Sequence, residues 1–306
     1  MKKRKKTLIN LLSVLVIVLS IVFMVIHLVS SRSKTPADSG ETVTTASQTD
    51  ESKTETTTMP VTTTTQPTTE ERTAAPTPVT TEKYDGAARY AAFTFDDGPN
   101  ATITNEVLKV LKENNVRATF FILGQNAKEY PQIVKNIVNA GCEVGTHSYS
   151  HKNYSKLTAE EIKADLSNSI KTIEDISGTP VRLFRAPYGS YNSTVKESVN
   201  RPIILWSYDT RDWAYKIKKD DKRSAAQIEA DKNEIVNKLL NSIRDGEIVL
   251  MHDMNKMTLD VCKDVIPKLV KDGWKIVSVS ELAAMRGKEL KNGTVYSMPI
   301  KESKST

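Results

Sequence analysis

Ala91-Ala92-Phe93-Thr94-Phe95 runs directly into Asp96-Asp97-Gly98-Pro99. Five uncharged residues in a row, two of them aromatic, read as a buried strand. Gly98 and Pro99 turn the chain sharply where that strand ends. Two adjacent carboxylates at a strand end are costly to hold together unless a cation or strong donors neutralise them. Asp-Asp-Gly alone is a weak signal, so its weight depends on what the rest of the chain brings to the same place.

Outward from this stretch the pattern alternates. Helical spacing covers 102–114, and a second strand is predicted over 117–123. A helix over 126–139 carries Pro131 in its first turns, and 142–145 is a short strand. Thr158 and Glu161 form a capping box ahead of Ile162, Leu166, Ile170 and Ile173 at helical spacing. Further on come a strand at 203–206, a helix at 233–243, a strand at 247–251 and a helix at 259–271. Strands alternating with helices imply an α/β domain with a parallel sheet, open or closed into a barrel. Both architectures collect active residues at the C-terminal ends of strands.

Four more polar clusters stand at such ends. Gly145-Thr146-His147-Ser148-Tyr149-Ser150-His151 holds two histidines four apart, which meet one metal ion if the segment is helical or tightly turned. Alone, such a pair says little. The chain has four histidines, however, and the three outside residues 8–29 (His147, His151 and His252) all lie at or just after strand ends. Leu183-Phe184-Arg185-Ala186-Pro187-Tyr188-Gly189 offers an arginine that can pair with a carboxylate. Trp206-Ser207-Tyr208-Asp209-Thr210-Arg211-Asp212-Trp213 offers Asp212 to orient a histidine. Ile248-Val249-Leu250-Met251-His252-Asp253 delivers His252 from a β-branched strand. Trp206 reads as core, and Trp213 as core or groove wall.

The first 83 residues have another character. Residues 8–29 hold no formal charge and exceed the roughly 20 residues a membrane-spanning helix needs. Lys2, Lys3, Arg4, Lys5 and Lys6 precede them, which favours a cytoplasmic N-terminus over 1–7. A cleaved signal peptide is the competing reading, but its apolar region runs only about 7–15 residues. No alanine occurs before Ala37, so an uncleaved anchor is expected. Residues 30–83 are dominated by Thr, Ser, Pro, Glu and Gln and cannot form a core, so they read as a disordered linker. Fully extended, such a linker reaches on the order of 170–190 Å. A folded domain over 84–290 and a tail over 291–306 complete the expected organisation.

The net charge of +6 owes five charges to the N-terminal run, leaving 38 basic against 37 acidic residues. No nucleic-acid partner is expected from so neutral a remainder. Cys142 and Cys262 lack CxxC spacing and read as small buried residues, with a single disulfide left open.

The five clusters, in this order, resemble the polysaccharide deacetylase family, the NodB-like carbohydrate esterases. The resemblance covers about residues 88–285. It implies a distorted (β/α) barrel and a divalent metal, zinc first, with cobalt, nickel or manganese as alternatives. It implies Asp97, His147 and His151 as the ligands, Asp96 as catalytic base and Arg185 as its partner. His252 resembles the general acid, tuned by Asp212. Leu250 and Trp213 resemble pocket-lining residues, and the Tyr188 backbone N–H stands where the oxyanion is bound. Spacing alone also allows a three-histidine site that includes His252, with Asp97 as base; the resemblance favours the first assignment. Lys152 and Ala186 stand where relatives commonly have proline, and the charged stretch 216–231 reads as a surface loop without an assigned role.

With its anchor and linker, the chain is most similar to membrane-anchored bacterial peptidoglycan N-acetylglucosamine deacetylases. The implied partner is the cell-wall glycan strand, met by a single-pass, monomeric protein with its catalytic domain outside the cell. Chitin oligomers, acetylxylan and the muramic acid acetyl group are alternative substrates. A non-catalytic wall-binding module would predict damage at Asp96, Asp97, His147, His151 or His252, and none is replaced.

Overall fold

The computed structural model describes residues 87–301, so the expected anchor and linker lie outside the described residues. Among the described residues no helix is long and apolar enough to cross a membrane.

The sheet is parallel throughout and runs β3 (Glu143–Thr146), β2 (Thr119–Ile122), β1 (Arg89–Asp96), β6 (Glu247–His252), β5 (Tyr208–Asp209). β7 (Trp274–Val277) also pairs with β1, along its first half. Thr146 bridges to Phe184, and Phe184 bridges to Ile203 of β4 (Ile203–Ile204). Residues 203–209 thus meet β6 on one side and the Phe184 segment on the other, and the sheet curls round on itself.

Strand periodicity separates two faces. Ala91, Phe93 and Phe95 of β1, Phe120 and Ile122 of β2, and Val249 and Met251 of β6 join one large core with the flanking helices. Those helices include α1 (Ile103–Glu113), α6 (Ala225–Ser242) and α7 (Lys256–Lys271). Tyr90, Ala92, Phe121 and Ile248 point the other way, into a second core shared with Leu183, Ile204 and Val277. Thr94, Asp96, Leu250 and His252 have the parity of this inner face. The last residues of β1 and β6, Asp96 and His252, are register partners. The inner face is tight: a Cβ on Gly145 would lie 2.6 Å from the Phe121 ring.

Several expected elements are corrected. The helix over 126–139 is two helices, α2 (Gly124–Glu129) and α3 (Pro131–Asn139), broken at Tyr130. Proline crowds the residue before it out of helical geometry and then opens the next helix. The helix expected at 233–243 begins at Ala225, where Ser224 and Gln227 form a capping box, so only the first part of 216–231 is a loop. α5 (Ser193–Ser198), β7, α8 (Val279–Met285) and β8 (Val295–Tyr296) were not anticipated. β8 pairs with β4, and Ile300 is buried against Gly246, so residues after 290 contribute to the folded body. Cys142 and Cys262 are buried free thiols.

Candidate active site

Asp97 leaves β1 with φ 71°, a turn that swings its side chain away from that of Asp96. Its carbonyl accepts a hydrogen bond from Asn126 Nδ2 at 2.8 Å. Its Oδ1 is buried without a hydrogen-bond partner, 3.5 Å from His147 Nε2 and 3.3 Å from His151 Nε2. A buried carboxylate oxygen without a donor is costly. Ligands about 2.0–2.1 Å from a tetrahedral ion sit about 3.3 Å apart, so these three atoms fit a divalent cation. Asp97, His147 and His151 form the one such cluster among the described residues.

The histidines are prepared for that role by their surroundings. His147 Nδ1 lies 2.8 Å from the Arg185 carbonyl. A carbonyl only accepts, so the proton sits on Nδ1 and the Nε2 lone pair faces Asp97. Burial pushes His147 down to about 3, against the pull of Asp97, so the ring is neutral. His151 arrives by a tight turn rather than a helix: Ser148 and His151 both have positive φ, and His151 N–H donates to Ser148 Oγ.

Asp96 faces a different neighbour. Arg185, fully buried, donates from Nη1 to Asp96 Oδ1 at 2.8 Å and to Thr94 Oγ1 at 2.7 Å. Its Nε and Nη2 hold the carbonyls of Ile204 and Leu205, and Phe121 lies 4.1 Å under the guanidinium. Burial raises the Asp96 pKa, and the Arg185 charge and then the His252 charge oppose it. The outcome is a carboxylate that stays raised, a useful property in a base working near neutrality.

His252 stands across from it. Its Nδ1 is 2.9 Å from Asp212 Oδ1, and its backbone N–H donates to Asp212 Oδ2 at 2.8 Å. Thr258 Oγ1 donates to the same Oδ2 at 2.5 Å. Burial alone would lower His252, but the Asp212 hydrogen bond and charge outweigh it, with help from Asp96 and Asp97, and raise it to about 9. The ring is therefore protonated at neutral pH and presents Nε2 to the pocket. This orientation leaves His252 outside the ligand cluster and does not assemble the three-histidine site.

These residues line a pocket of about 450 Å³, with Tyr188, Trp206, Asp209, Trp213, Lys216, Leu250 and Asn255 completing the wall. Tyr188 is 67% exposed with φ 61°, and His151 packs edge-on against it at 4.5 Å. Trp213 is half exposed, so it belongs to the groove and not the core.

Residues 83–202 match the polysaccharide deacetylase family. The peptidoglycan-N-acetylglucosamine deacetylase PgdA of Listeria monocytogenes is 37% identical over 205 residues, 67% of this chain and 40% of that protein. The peptidoglycan-N-acetylmuramic acid deacetylase PdaC of Bacillus subtilis is 33% identical over 205 residues, 67% of this chain and 41% of PdaC. The chain spans about two fifths of the length of these curated relatives. A solved structure of PdaC superposes with a TM-score of 0.60 at 32% identity, covering 66% of this chain and 94% of the solved one.

The chain belongs to the polysaccharide deacetylase family.

Around the family's motifs stand residues that the sequence reading did not name. Ser169 Oγ bonds Thr146 Oγ1 and the Ser148 carbonyl, and Asp165 accepts from Tyr149 N–H and the Tyr154 hydroxyl. Both lie on α4 (Ala159–Ser177) and pin the His147–His151 turn from outside. Ser169 had a readable signal, a polar residue within the apolar stripe of Ile162, Leu166 and Ile173. Thr258 and Asn126 had none, because each acts through one long-range bond.

Proposed function

We propose that the chain is a metal-dependent hydrolase that removes N-acetyl groups from a polysaccharide, N-acetylglucosamine of cell-wall peptidoglycan in the first place. The observation that carries this reading is the opposition of a raised carboxylate, Asp96, and a protonated histidine, His252, across the three-residue cluster of Asp97, His147 and His151. Asp97, His147 and His151 would hold the ion, zinc first. When bound there, a divalent cation supplies Lewis-acid polarisation of the acetyl carbonyl and acidification of a water. Asp96 accepts the proton of the attacking water, and Arg185 keeps that carboxylate ionised and aimed. The Tyr188 backbone N–H donates to the oxyanion that develops. His252 hands its Nε2 proton to the departing sugar nitrogen, with Asp212 bracing the opposite side of the ring. Water and acetamide become free amine and acetate.

The substrate assignment rests on the named relatives and on the anchor and linker expected in the sequence. In this reading 8–29 holds a monomeric enzyme in the cell membrane, with the catalytic domain, a distorted (β/α) barrel, facing the wall. Two variants test the division of labour. Asp97→Ala is expected to lose bound metal and activity together, and His252→Ala to lose activity while retaining metal by elemental analysis. Loss of metal in the His252 variant would return the three-histidine site. Mass spectrometry of muropeptides after treatment tests the substrate, and the absence of deacetylated glucosamine would remove peptidoglycan N-acetylglucosamine.

A further inference from the structure

The charged stretch after Trp213 plays no part in the mechanism above, yet it is built. Arg223 is its hub: Nη1 pairs with Asp231 at 2.6 Å, while Nε and Nη2 hold Asp221. Nη2 also donates to the carbonyls of Tyr215 and Lys216, at 3.3 and 2.9 Å. Asp221 in turn accepts from the backbone N–H groups of Lys218 and Arg223. This network ties the loop to the 3₁₀ turn Asp212–Tyr215, which carries both the partner of His252 and the groove residue Trp213.

The internal pairing consumes Asp221, Asp231 and Arg223. Lys216, Lys218, Lys219 and Lys222 are left exposed, with no ion-pair partner among the described residues, against the unpaired carboxylate of Asp220. Outside the N-terminal run the chain is almost neutral, so this is a local excess of positive charge. It is continuous with the active site, because Lys216 is itself part of the pocket wall. Arg211 adds a cation 5.7 Å from the Trp213 ring on the same lip. Asp209 is the opposing carboxylate on that wall, and its Oδ1 accepts from the Arg211 N–H.

We propose that this lysine lip recognises carboxylates on the glycan beside the reacting N-acetyl sugar, so that the preferred substrate is an anionic, carboxylate-bearing saccharide and not a neutral one. The proposal rests on the deacetylase reading above and narrows its substrate class. Fixing the backbone through Arg223 reduces the ordering cost of each contact, while the lysine stems keep enough freedom to follow a polymer. Exposed ion pairs contribute little individually, up to about fivefold each, so several lysines act together. Their field also draws an anionic chain toward the pocket and weakens with salt.

The test compares kcat/KM for acetate release by the full-length chain on three substrates. One is a neutral N-acetylglucosamine oligomer, one a peptidoglycan glycan fragment with free lactyl and peptide carboxylates, and one the same fragment with those carboxylates amidated. The wild-type preference for the free-carboxylate fragment should fall on amidation and on raising salt. Lys216→Gln should lower the anionic-to-neutral ratio by about two- to fivefold, through KM, and Lys216→Arg should retain it. Replacing Lys216, Lys218, Lys219 and Lys222 together with Gln should lower the ratio about tenfold or more. An unmoved ratio in the fourfold variant, or an equal loss on both substrates, would overturn the lip while leaving the deacetylase reading intact. Absence of acetate from every substrate with the wild-type chain would overturn both.

Discussion

His147 follows β3 and His252 ends β6 of one sheet, and their chemistry is opposite. His147 donates to a backbone carbonyl, is almost fully buried and is pushed down to about 3. His252 donates to a buried carboxylate and is pushed up to about 9. The residue type is the same, and desolvation is the largest influence on both. What separates them is the charge of the acceptor at Nδ1: a neutral carbonyl leaves a lone pair for a metal, whereas a carboxylate keeps the ring cationic and able to donate a proton. The two arms meet at Asp96, which lies 3.8 Å from His147 Nε2 and beside His252 in register.

The comparison breaks most severely if Asp96 loses its counter-charge. Arg185→Met leaves a buried carboxylate unpaired and frees two carbonyls, so a loss of about 3–5 kcal/mol in urea unfolding is expected, along with activity. An unchanged unfolding midpoint would show that the pair is structurally dispensable. Asp212→Asn should make His252 resemble a histidine without a carboxylate. In the proposed mechanism His252 acts protonated, so the wild-type rate should fall as pH rises through about 9. In the variant that alkaline limb should shift toward the ordinary histidine range, with the rate at pH 8 down by about 10²–10⁴. Stability follows the same sign. The raised pKa contributes stability fully present below the ordinary value of 6.5 and lost as pH rises through about 9. Asp212→Asn should flatten that dependence in a series of melting curves.

Thr258→Val sharpens the comparison more gently. It removes one of the donors to Asp212 Oδ2 and leaves His252 in place, so a cost of about 1–3 kcal/mol is expected. The alkaline limb should move less than in Asp212→Asn, and a larger move would mean that the hydroxyl and not the carboxylate sets the ring. Trp213→Ala lies outside both arms. As a half-exposed wall residue it should raise KM for glycan while changing stability by no more than about 0.5 kcal/mol. A marked drop in melting temperature would instead assign Trp213 to the core.

Much of the site was legible in sequence because strand ends are local features. The runs ending in Asp96 and His252 announce themselves by apolar strands followed abruptly by polar residues. The pairing of Asp97 with His147 and His151 was expected from a family resemblance, and the structure brings the three side chains to one point. The α3 start at Pro131 was misplaced because the apolar spacing continues smoothly across Tyr130. The α6 start was misplaced for the converse reason: its first two turns bury no side chain, and only Ile235, Val236 and Leu239 of this helix are buried. β8 was missed because two residues between Thr294 and Ser297 carry no periodic signal, although they complete the edge at β4.

The sequence by itself determined which residues stand at the mouth of the sheet, since strand polarity and the two-residue side-chain period follow from local backbone geometry. It also determined the near-neutral balance of the chain outside the N-terminal run and the lysine cluster beside Trp213. Only the tertiary structure decided the charge state of each group. Desolvation and counter-charge depend on neighbours 40 to 90 positions away, as with Asp212 for His252 (40 positions) and Arg185 for Asp96 (89 positions). Those distances in sequence close only when the sheet curls and brings the strand ends together.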